Sequence, residues 1–173
     1  MDSDGIHYAA AVGVRVVVCE DSATYRRALV RALEHDGRLQ VVGAFETAEA
    51  TLAALDSLSP DVVTMDLELP GMQGLEAVEE IMSARPLPIA VVSSHVGAQS
   101  EVAAAALAAG ALEALPKNGL DLLDPTSVSA AALRRRVEVL SRARVVRHPR
   151  ARLRPRGDRP SAPWCSIATD RWS

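Results

Sequence analysis

The sequence is poor in aromatic residues and in cysteine. Only two Trp, two Tyr and one Phe occur among 173 residues, so the hydrophobic core must be built from Val, Leu, Ala and Ile. The two cysteines, Cys19 and Cys165, form neither a CxxC pair nor a metal-ligand spacing. Cys19 ends an apolar run and is interpreted as a buried thiol. This cysteine usage favours a reducing, cytoplasmic setting over a disulfide-rich scaffold.

The sequence also lacks segments that suit targeting or membrane insertion. It starts with MDSDG, which is acidic and has no positively charged region of the kind that begins a signal peptide. Its longest apolar run, residues 102–112, is alanine-rich and too short to span a bilayer. We therefore expect a cytoplasmic protein without membrane insertion.

Charge is distributed unevenly along the chain. The net charge is −3, but nine Arg and two Asp from residue 141 onward contribute +7, so residues 1–140 carry −10. Residues 146–173 are rich in Arg and Pro and have almost no apolar periodicity, which is typical of a linker or a disordered tail. The predicted organisation is an N-terminal extension over 1–13, one domain over 14–145 and a basic tail over 146–173.

Strand and helix patterns alternate five times in the acidic part. The predicted strands are residues 14–19, 39–45, 61–65, 87–94 and 111–116. The helices between them end near Gly37, Pro60, Arg85 and Gly110, and a last helix covers about residues 127–144. Five βα units with almost continuously apolar strands predict an α/β fold, with a parallel sheet covered on both faces.

Polar residues follow four of the predicted strands. They are Glu20 and Asp21, then Asp66, then Ser93 and Ser94, and finally Lys117. In open parallel sheets, ligands bind beyond the carboxyl ends of the strands. Each residue alone is more simply explained as a helix cap, a turn residue or a surface lysine. Their joint occurrence at successive strand ends instead indicates a site.

The residue types at these positions suit phosphoryl transfer. Three carboxylates placed together repel each other unless a cation compensates them. Mg²⁺ prefers such oxygen ligands and is often shared with a phosphate. An Asp carboxylate can act as a nucleophile toward phosphorus. The three equatorial oxygens of the transferred group would then meet Mg²⁺, the Ser93 hydroxyl and the Lys117 ammonium.

The stretches VVVCEDS, DVVTMDLELPGMQG, PIAVVSS and LPK resemble the CheY-like receiver domain of two-component response regulators. The resemblance covers residues 14 to about 140. It implies a flavodoxin-like (βα)5 three-layer sandwich with sheet order 2-1-3-4-5. It also implies a phosphorylation-controlled receiver in which Asp66 accepts phosphate from a histidine kinase.

The resemblance assigns a role to each residue of the site. It implies that Asp21 binds Mg²⁺ directly, that Glu20 acts through water and that Glu68 contributes its backbone carbonyl alongside Asp66. Ser93 is the hydroxyl expected to move toward the phosphoryl group. Lys117 is the conserved type of lysine that contacts it.

Within these stretches, the individual residues are similar to those of the receiver half of the chemotaxis protein-glutamate methylesterase. The pair Ser93-Ser94 and the Pro116 before Lys117 favour that subfamily, which implies a chemotaxis-type system and a chemoreceptor signalling complex as partner. The sequence after Pro163 lacks the Gly-rich opening of a methylesterase domain, and no Ser/His/Asp triad can be assembled. We therefore expect a truncated regulator that is not an enzyme.

Three residues depart from the usual receiver pattern. Glu20 replaces the commoner Asp. Asn118 stands where Pro is usual, so we expect a trans bond after Lys117 and a less well aimed lysine. Ala114 occupies the position of an aromatic switch residue, so any signal that depends on a ring there is expected to be lost.

Three other functions can be compared with the sequence. A DNA-binding response regulator could use the basic tail, but about thirty Pro-rich residues cannot form a winged helix and no recognition helix is visible, so nucleic acid is an unlikely partner. A nucleotide- or flavin-binding module is disfavoured because CEDSATY carries carboxylates where a phosphate loop needs glycines. A stand-alone receiver shares all of the predicted chemistry and stays open.

Overall fold

A computed structural model describes residues 13–94 and 100–145, in which five strands alternate with five helices. The strands are β1 (Val14–Cys19), β2 (Leu39–Phe45), β3 (Val62–Met65), β4 (Ile89–Ser93) and β5 (Glu113–Pro116). The helices are α1 (Ala23–Glu34), α2 (Ala48–Leu58), α3 (Gly74–Ala84), α4 (Glu101–Ala109) and α5 (Val128–Ser141). The predicted extension and basic tail lie almost entirely outside the described residues, so these boundaries stay predictions.

All five strands are parallel, and their order in the sheet is β2-β1-β3-β4-β5. The predicted fold and strand order are therefore confirmed. β3 lies at the centre, and the Asp66 N–H after it donates to the carbonyl of Cys19 at 2.9 Å. None of the helices within the described residues is both long and apolar enough to cross a bilayer.

Three strands begin later than the sequence predicts, and β3 does so by a single residue, starting at Val62. β4 starts at Ile89 because Pro88, which has no N–H to donate, precedes it. β5 starts at Glu113 because Ala111 still belongs to the end of α4, where its N–H donates to the carbonyl of Ala106 at 3.0 Å. The last helix is also shorter than predicted and ends at Ser141.

The sheet separates two hydrophobic clusters. Alternate residues of each strand face opposite sides, so Val16 and Val18 pack toward α1 and α5, while Val17 and Cys19 pack toward α2, α3 and α4. Four of the five helices begin with a serine or threonine cap whose hydroxyl accepts an N–H three residues later; these caps are Ser22, Thr47, Ser100 and Ser127. The result is a three-layer sandwich in which the carboxyl ends of all five strands lie at the same edge of the sheet.

The start of α3 packs directly against the backbone of Asp66. The Gly74 N–H donates to the carbonyl of Leu67 at 3.2 Å. A β-carbon at position 74 would overlap the Asp66 carbonyl oxygen and would lie 2.6 Å from the Leu67 α-carbon. Because these neighbours are backbone atoms, they cannot rotate away. The close approach therefore requires glycine and fixes Asp66 relative to α3.

Gly74→Ala should therefore lower the free energy of unfolding by about 2–3 kcal/mol, since the methyl group forces the Asp66 backbone to move. Gly37→Ala is the control. Gly37, unlike Gly74, has open space around it, so alanine there should cost only the left-handed backbone conformation, about 1 kcal/mol. Urea denaturation measures both losses. A Gly74 variant as stable as the Gly37 variant would contradict the contact.

A buried arginine joins α5 to α1. Only 6% of the surface of Arg134 is exposed. Its Nη1 donates to the carbonyls of Ala32 and Pro125 at 2.8 and 2.9 Å, and its Nε lies 3.2 Å from Asp36 Oδ2. These contacts satisfy two backbone carbonyls and a partly exposed carboxylate. Arg134 thereby closes the side of the sandwich formed by α1 and α5.

The pKa of Asp36 is lowered. Burial acts to raise it, but hydrogen bonds from Arg38 and the charges of Arg38 and Arg134 outweigh that effect. A carboxyl whose pKa falls on folding stabilises the protein above its unfolded pKa of about 3.9, and this stabilisation is lost as the pH falls through the folded pKa.

Arg134→Ala is expected to reduce the free energy of unfolding by about 2–3 kcal/mol near neutral pH, because buried carbonyls lose their donor. The difference in the free energy of unfolding between the variant and the unaltered protein should narrow as the pH falls through the lowered folded pKa of Asp36. Arg135→Ala, at an exposed neighbouring position, is the control and should change stability by less than about 0.5 kcal/mol. Chemical denaturation at several pH values tests both parts, and a constant difference would exclude a role for Asp36.

Candidate functional site

Side chains from three strand ends converge at the carboxyl edge of the sheet. Glu20 and Asp21 follow β1, Asp66 follows β3, and Lys117 follows β5. One carboxylate oxygen from each of the three acidic residues lies within 4.8 Å of the other two. They line an open cavity of about 400 Å³ together with Ser22, Tyr25, Glu68, Ser94 and Lys117. The predicted convergence of Glu20, Asp21, Asp66 and Lys117 is thus found in the structure.

Lys117 bridges the two buried carboxylates. Its Nζ lies 2.7 Å from Asp66 Oδ2 and 2.7 Å from Glu20 Oε2, and it also donates to Glu20 Oε1 at 2.9 Å. The side chains of Glu20 and Asp66 are each 1% exposed, and that of Lys117 is 12% exposed. Lys117 is also the only lysine in the chain, in which the other 18 basic residues are arginine. One ammonium group therefore compensates two buried negative charges.

Burial and mutual contact shift the pKa values of Glu20 and Lys117. Desolvation raises the pKa of Glu20, and the hydrogen bond and charge of Lys117 offset only part of this rise. For Lys117, burial acts to lower the pKa, but the hydrogen bonds that its ammonium donates to Asp66 and Glu20, together with the charges of these carboxylates, outweigh burial, so the pKa is raised. Lys117 is consequently charged at neutral pH.

The loop after β1 is held by hydrogen bonds between its backbone and the side chains of Glu20 and Arg26. The Ser22 N–H donates to Glu20 Oε1 at 3.3 Å. Arg26 Nη1 donates to the carbonyl of Glu20 at 2.6 Å and to that of Asp21 at 3.1 Å. Within 13–94 and 100–145, the exposed Asp21 carboxylate has no hydrogen bond or ion pair, so it is available to a ligand in the cavity.

The remaining predicted residues, Ser93, Ser94 and Glu68, lie close to the cluster. Ser93 is the fully buried last residue of β4, and its carbonyl accepts the Lys117 N–H at 3.0 Å. Of the adjacent pair Ser93 and Ser94, it is Ser94 that lines the cavity. Glu68 is exposed and lines it as well, and its N–H donates to Asp66 Oδ1 at 3.3 Å. Phosphoryl contact by Ser93 and metal binding by the Glu68 carbonyl stay predictions.

One expectation about Lys117 is wrong. None of the peptide bonds among the described residues is cis, so the bond before Asn118 is trans as expected. The side chain of Lys117 nevertheless reaches both carboxylates. The reason is that its backbone is fixed on both sides, by its N–H to Ser93 and by its carbonyl, which accepts the Leu120 N–H at 3.1 Å. Asn118 therefore does not misdirect the lysine.

Sequence reasoning missed two residues of α1 that support the site. One is Arg26, which holds the loop carbonyls. The other is Tyr25, whose ring centroid lies 4.6 Å from Lys117 Nζ. Burial raises the pKa of the Tyr25 phenol, and the charges of Glu20 and Asp66 raise it further. One feature of the sequence could have indicated both residues. A helix that starts at residue 23 must place its first turn beside the carboxylates of Glu20 and Asp21, which directly precede it.

Cys19 lies below the cluster and takes no part in it. Burial is the main cause that raises its pKa to about 11, and the nearby carboxylates add to the rise. A thiol with such a pKa is almost entirely protonated at neutral pH and is a poor nucleophile. The interpretation of Cys19 as a buried thiol is confirmed.

The donor set fits a hard divalent cation. Three carboxylates offer oxygen atoms at mutual distances compatible with one ion, and the neighbouring cavity leaves room for water and a phosphate. Among the described residues, this cluster contains none of the sulfur and imidazole ligands that softer metals prefer. Mg²⁺ is thus a chemically suitable ligand, to be held by Asp21, Asp66 and Glu20.

The chain belongs to the family of response regulator receiver domains, whose model matches residues 16–123. It is related to the receiver part of chemotaxis methylesterases. It is 39% identical over 158 residues to protein-glutamate methylesterase/protein-glutamine glutaminase 2 of Cereibacter sphaeroides, which covers 91% of this chain and 41% of that protein. A methylesterase from Idiomarina loihiensis is 38% identical and covers 78% of this chain and 35% of its own length.

Solved structures give the same relationship. The response regulator domain of Thermotoga maritima CheB superposes with a TM-score of 0.68 at 27% identity, covering 76% of this chain and 98% of that domain. The receiver domain of a NarL regulator from Mycobacterium tuberculosis gives a TM-score of 0.62 at 29% identity. The chain spans only about 30–41% of the length of the first methylesterases it matches, so the match covers their receiver part and not their catalytic part.

Lys117→Met should lower the free energy of unfolding in EDTA by about 3–5 kcal/mol, because two buried carboxylates lose their common cation. Because the pKa of Lys117 is raised on folding, Lys117 contributes fully to the free energy of unfolding below the unfolded pKa of about 10.4. This contribution is lost only when the pH rises through the folded pKa.

Adding Glu20→Gln to the Lys117→Met variant should restore part of this loss, since one of the uncompensated charges is removed. Arg135→Met, which removes a positive charge from an exposed position, is the control and should have little effect. Urea denaturation at neutral pH gives the free energy of unfolding of the unaltered protein, the single and double variants and the control. If the second substitution only adds to the loss, the ammonium is not what compensates Glu20.

Proposed function

We propose that this protein is a phosphorylation-controlled receiver in which Asp66 accepts a phosphoryl group from the phosphohistidine of a histidine kinase. The observation that carries the proposal is the buried Asp66 carboxylate, held by Lys117 at 2.7 Å and facing a cavity lined by Glu20 and Asp21. A structural aspartate would not need two further carboxylates beside it. A nucleophile that must accommodate a metal ion and a phosphate does.

In the proposed reaction, an Asp66 carboxylate oxygen attacks phosphorus and forms an acyl phosphate. The bond between phosphorus and the kinase imidazole nitrogen breaks, and the imidazole leaves with the bonding electron pair. Lys117 holds the carboxylate in place and offers positive charge to the phosphoryl oxygens. The Glu68 N–H, which contacts Asp66 Oδ1 at 3.3 Å, orients the other carboxylate oxygen.

Bound Mg²⁺ would supply positive charge against the phosphoryl oxygens. Asp21 is the proposed direct ligand because its carboxylate is exposed, whereas Glu20 is already engaged by Lys117 and acts through water. We also propose that the Glu68 carbonyl completes the ligand set. Ser93 is the proposed phosphoryl partner at the end of β4.

The relatives suggest the biological setting. Because the first curated relatives are protein-glutamate methylesterases, we propose that this receiver works in a cytoplasmic, chemotaxis-type two-component system near a chemoreceptor signalling complex. The receiver itself accepts phosphate and catalyses no ester hydrolysis. Docking as a stand-alone receiver uses the same chemistry. A role of the basic residues 146–173 in DNA binding concerns a segment outside the described residues, and nothing in the described part favours it.

Incubation with Mg²⁺ and acetyl phosphate, followed by intact-mass measurement, should show the addition of one phosphoryl group. EDTA should prevent it, and Asp66→Asn should abolish it because the nucleophilic oxygen is replaced by an amide. Asp56→Asn is the control, since the Asp56 side chain is 94% exposed and remote from the cavity. Undiminished labelling of the Asp66 variant would refute the assignment, as would labelling that is independent of divalent metal.

A further inference from the structure

We propose that Tyr25 is a positioning residue whose aromatic ring keeps the Lys117 ammonium in the cavity while its carboxylate partners are taken by metal and phosphate. This inference rests on the proposed function of Asp66. It concerns a side chain to which neither the resemblance nor the site prediction gave a role.

Tyr25 and the two carboxylates contact the same ammonium group. Lys117 Nζ is held by Glu20 and Asp66 at 2.7 Å and lies over the Tyr25 ring at 4.6 Å from its centroid. Aromatic faces attract ammonium groups within about 6 Å, and the attraction increases when water is excluded. With only 12% of the Lys117 side chain exposed, this contact is largely shielded from solvent.

The backbone fixes the ring where the lysine needs it. Tyr25 lies in the first turn of α1, and its N–H donates to the hydroxyl of the Ser22 cap at 3.4 Å. Its apolar part packs with the cluster under α1 and α5. The ring is therefore attached to a helix rather than to a loop, so its position does not depend on the contents of the cavity.

The three contacts of Lys117 differ in what a ligand does to them. The oxygens of Glu20 and Asp66 that hold the ammonium belong to the same groups that would bind the metal ion or the phosphoryl group. Occupation of the cavity therefore weakens or replaces both ion pairs. The Tyr25 ring is neutral and does not compete for a metal, so it is the contact that persists and keeps the lysine beside the incoming phosphoryl oxygens.

The hydroxyl of Tyr25 allows the ring to be tested separately. Among the described residues, this hydroxyl is buried and has no hydrogen-bond partner. Tyr25→Phe therefore keeps the ring and breaks no hydrogen bond within the described structure. Tyr25→Leu removes the ring but keeps an apolar side chain for the packing under α1. A difference between these two variants reports on the aromatic face.

The first measurement is spectroscopic and uses the single lysine. Labelling the full chain with lysine enriched in ¹³C at the ε position gives signals from Lys117 alone. The ring should displace its ε protons upfield in the unaltered protein and in Tyr25→Phe, and the displacement should be lost in Tyr25→Leu. It should persist when Mg²⁺ and beryllofluoride, a stand-in for the phosphoryl group, are added.

The second measurement is the rate of labelling by acetyl phosphate with Mg²⁺. Tyr25→Leu should be slower by about three- to tenfold, the factor that corresponds to loss of a partly desolvated cation–π contact. Tyr25→Phe should recover the rate to within about twofold. Thermal melting of the variants shows that they are folded.

Two results would overturn the proposal. One is an upfield displacement that disappears when Mg²⁺ and beryllofluoride bind. The other is a labelling rate that falls equally in both variants, which would assign the effect to the hydroxyl. If the unaltered protein is not labelled at all, the proposed function of Asp66 fails, and the spectra with and without Mg²⁺ and beryllofluoride alone then decide whether Tyr25 holds the lysine.

Discussion

The bridge from Lys117 to Glu20 and Asp66 is the interaction on which the site depends. Two carboxylates with 1% exposure could not both stay ionised in the interior without a nearby cation. Lys117 supplies that cation at 2.7 Å from each. The cluster is therefore held together by attraction across it rather than by burial, which on its own acts against both charges. The same ammonium also holds the Asp66 carboxylate in place beside the cavity.

The sheet order explains why a lysine performs this task. β3 and β5 are separated by β4, and adjacent strands lie about 4.8 Å apart. A residue at the end of β5 must therefore reach across one strand to contact Asp66. The long, flexible stem of lysine covers such a distance and ends in a compact charge. The Lys117 N–H, bonded to the Ser93 carbonyl, sets the starting point of that reach.

Most of the fold and the main part of the site could be predicted from the sequence. Apolar runs identify strands directly, and the rule that ligands bind beyond parallel strand ends then places Asp66 near Glu20 and Lys117. Contacts that depend on helix rotation could not be predicted. The buried Arg134 and the Tyr25 ring look like ordinary surface residues in the sequence, because only packing in three dimensions decides which face of α5 or α1 they occupy. The aim of Lys117 was misjudged because its backbone hydrogen bonds are invisible in sequence.

The location of Asp66 after the central strand has a consequence for how the site is lost. β3 is paired on both sides, and the Asp66 N–H is itself bonded to Cys19. Regions that open independently of the whole fold are typically frayed ends and exposed loops, whereas central strands open only with global unfolding. The Asp66 carboxylate thus belongs to the most cooperative unit of the domain. Lys117, by contrast, follows the edge strand β5, so local opening of that edge would take the ammonium away from both carboxylates while β3 stays paired.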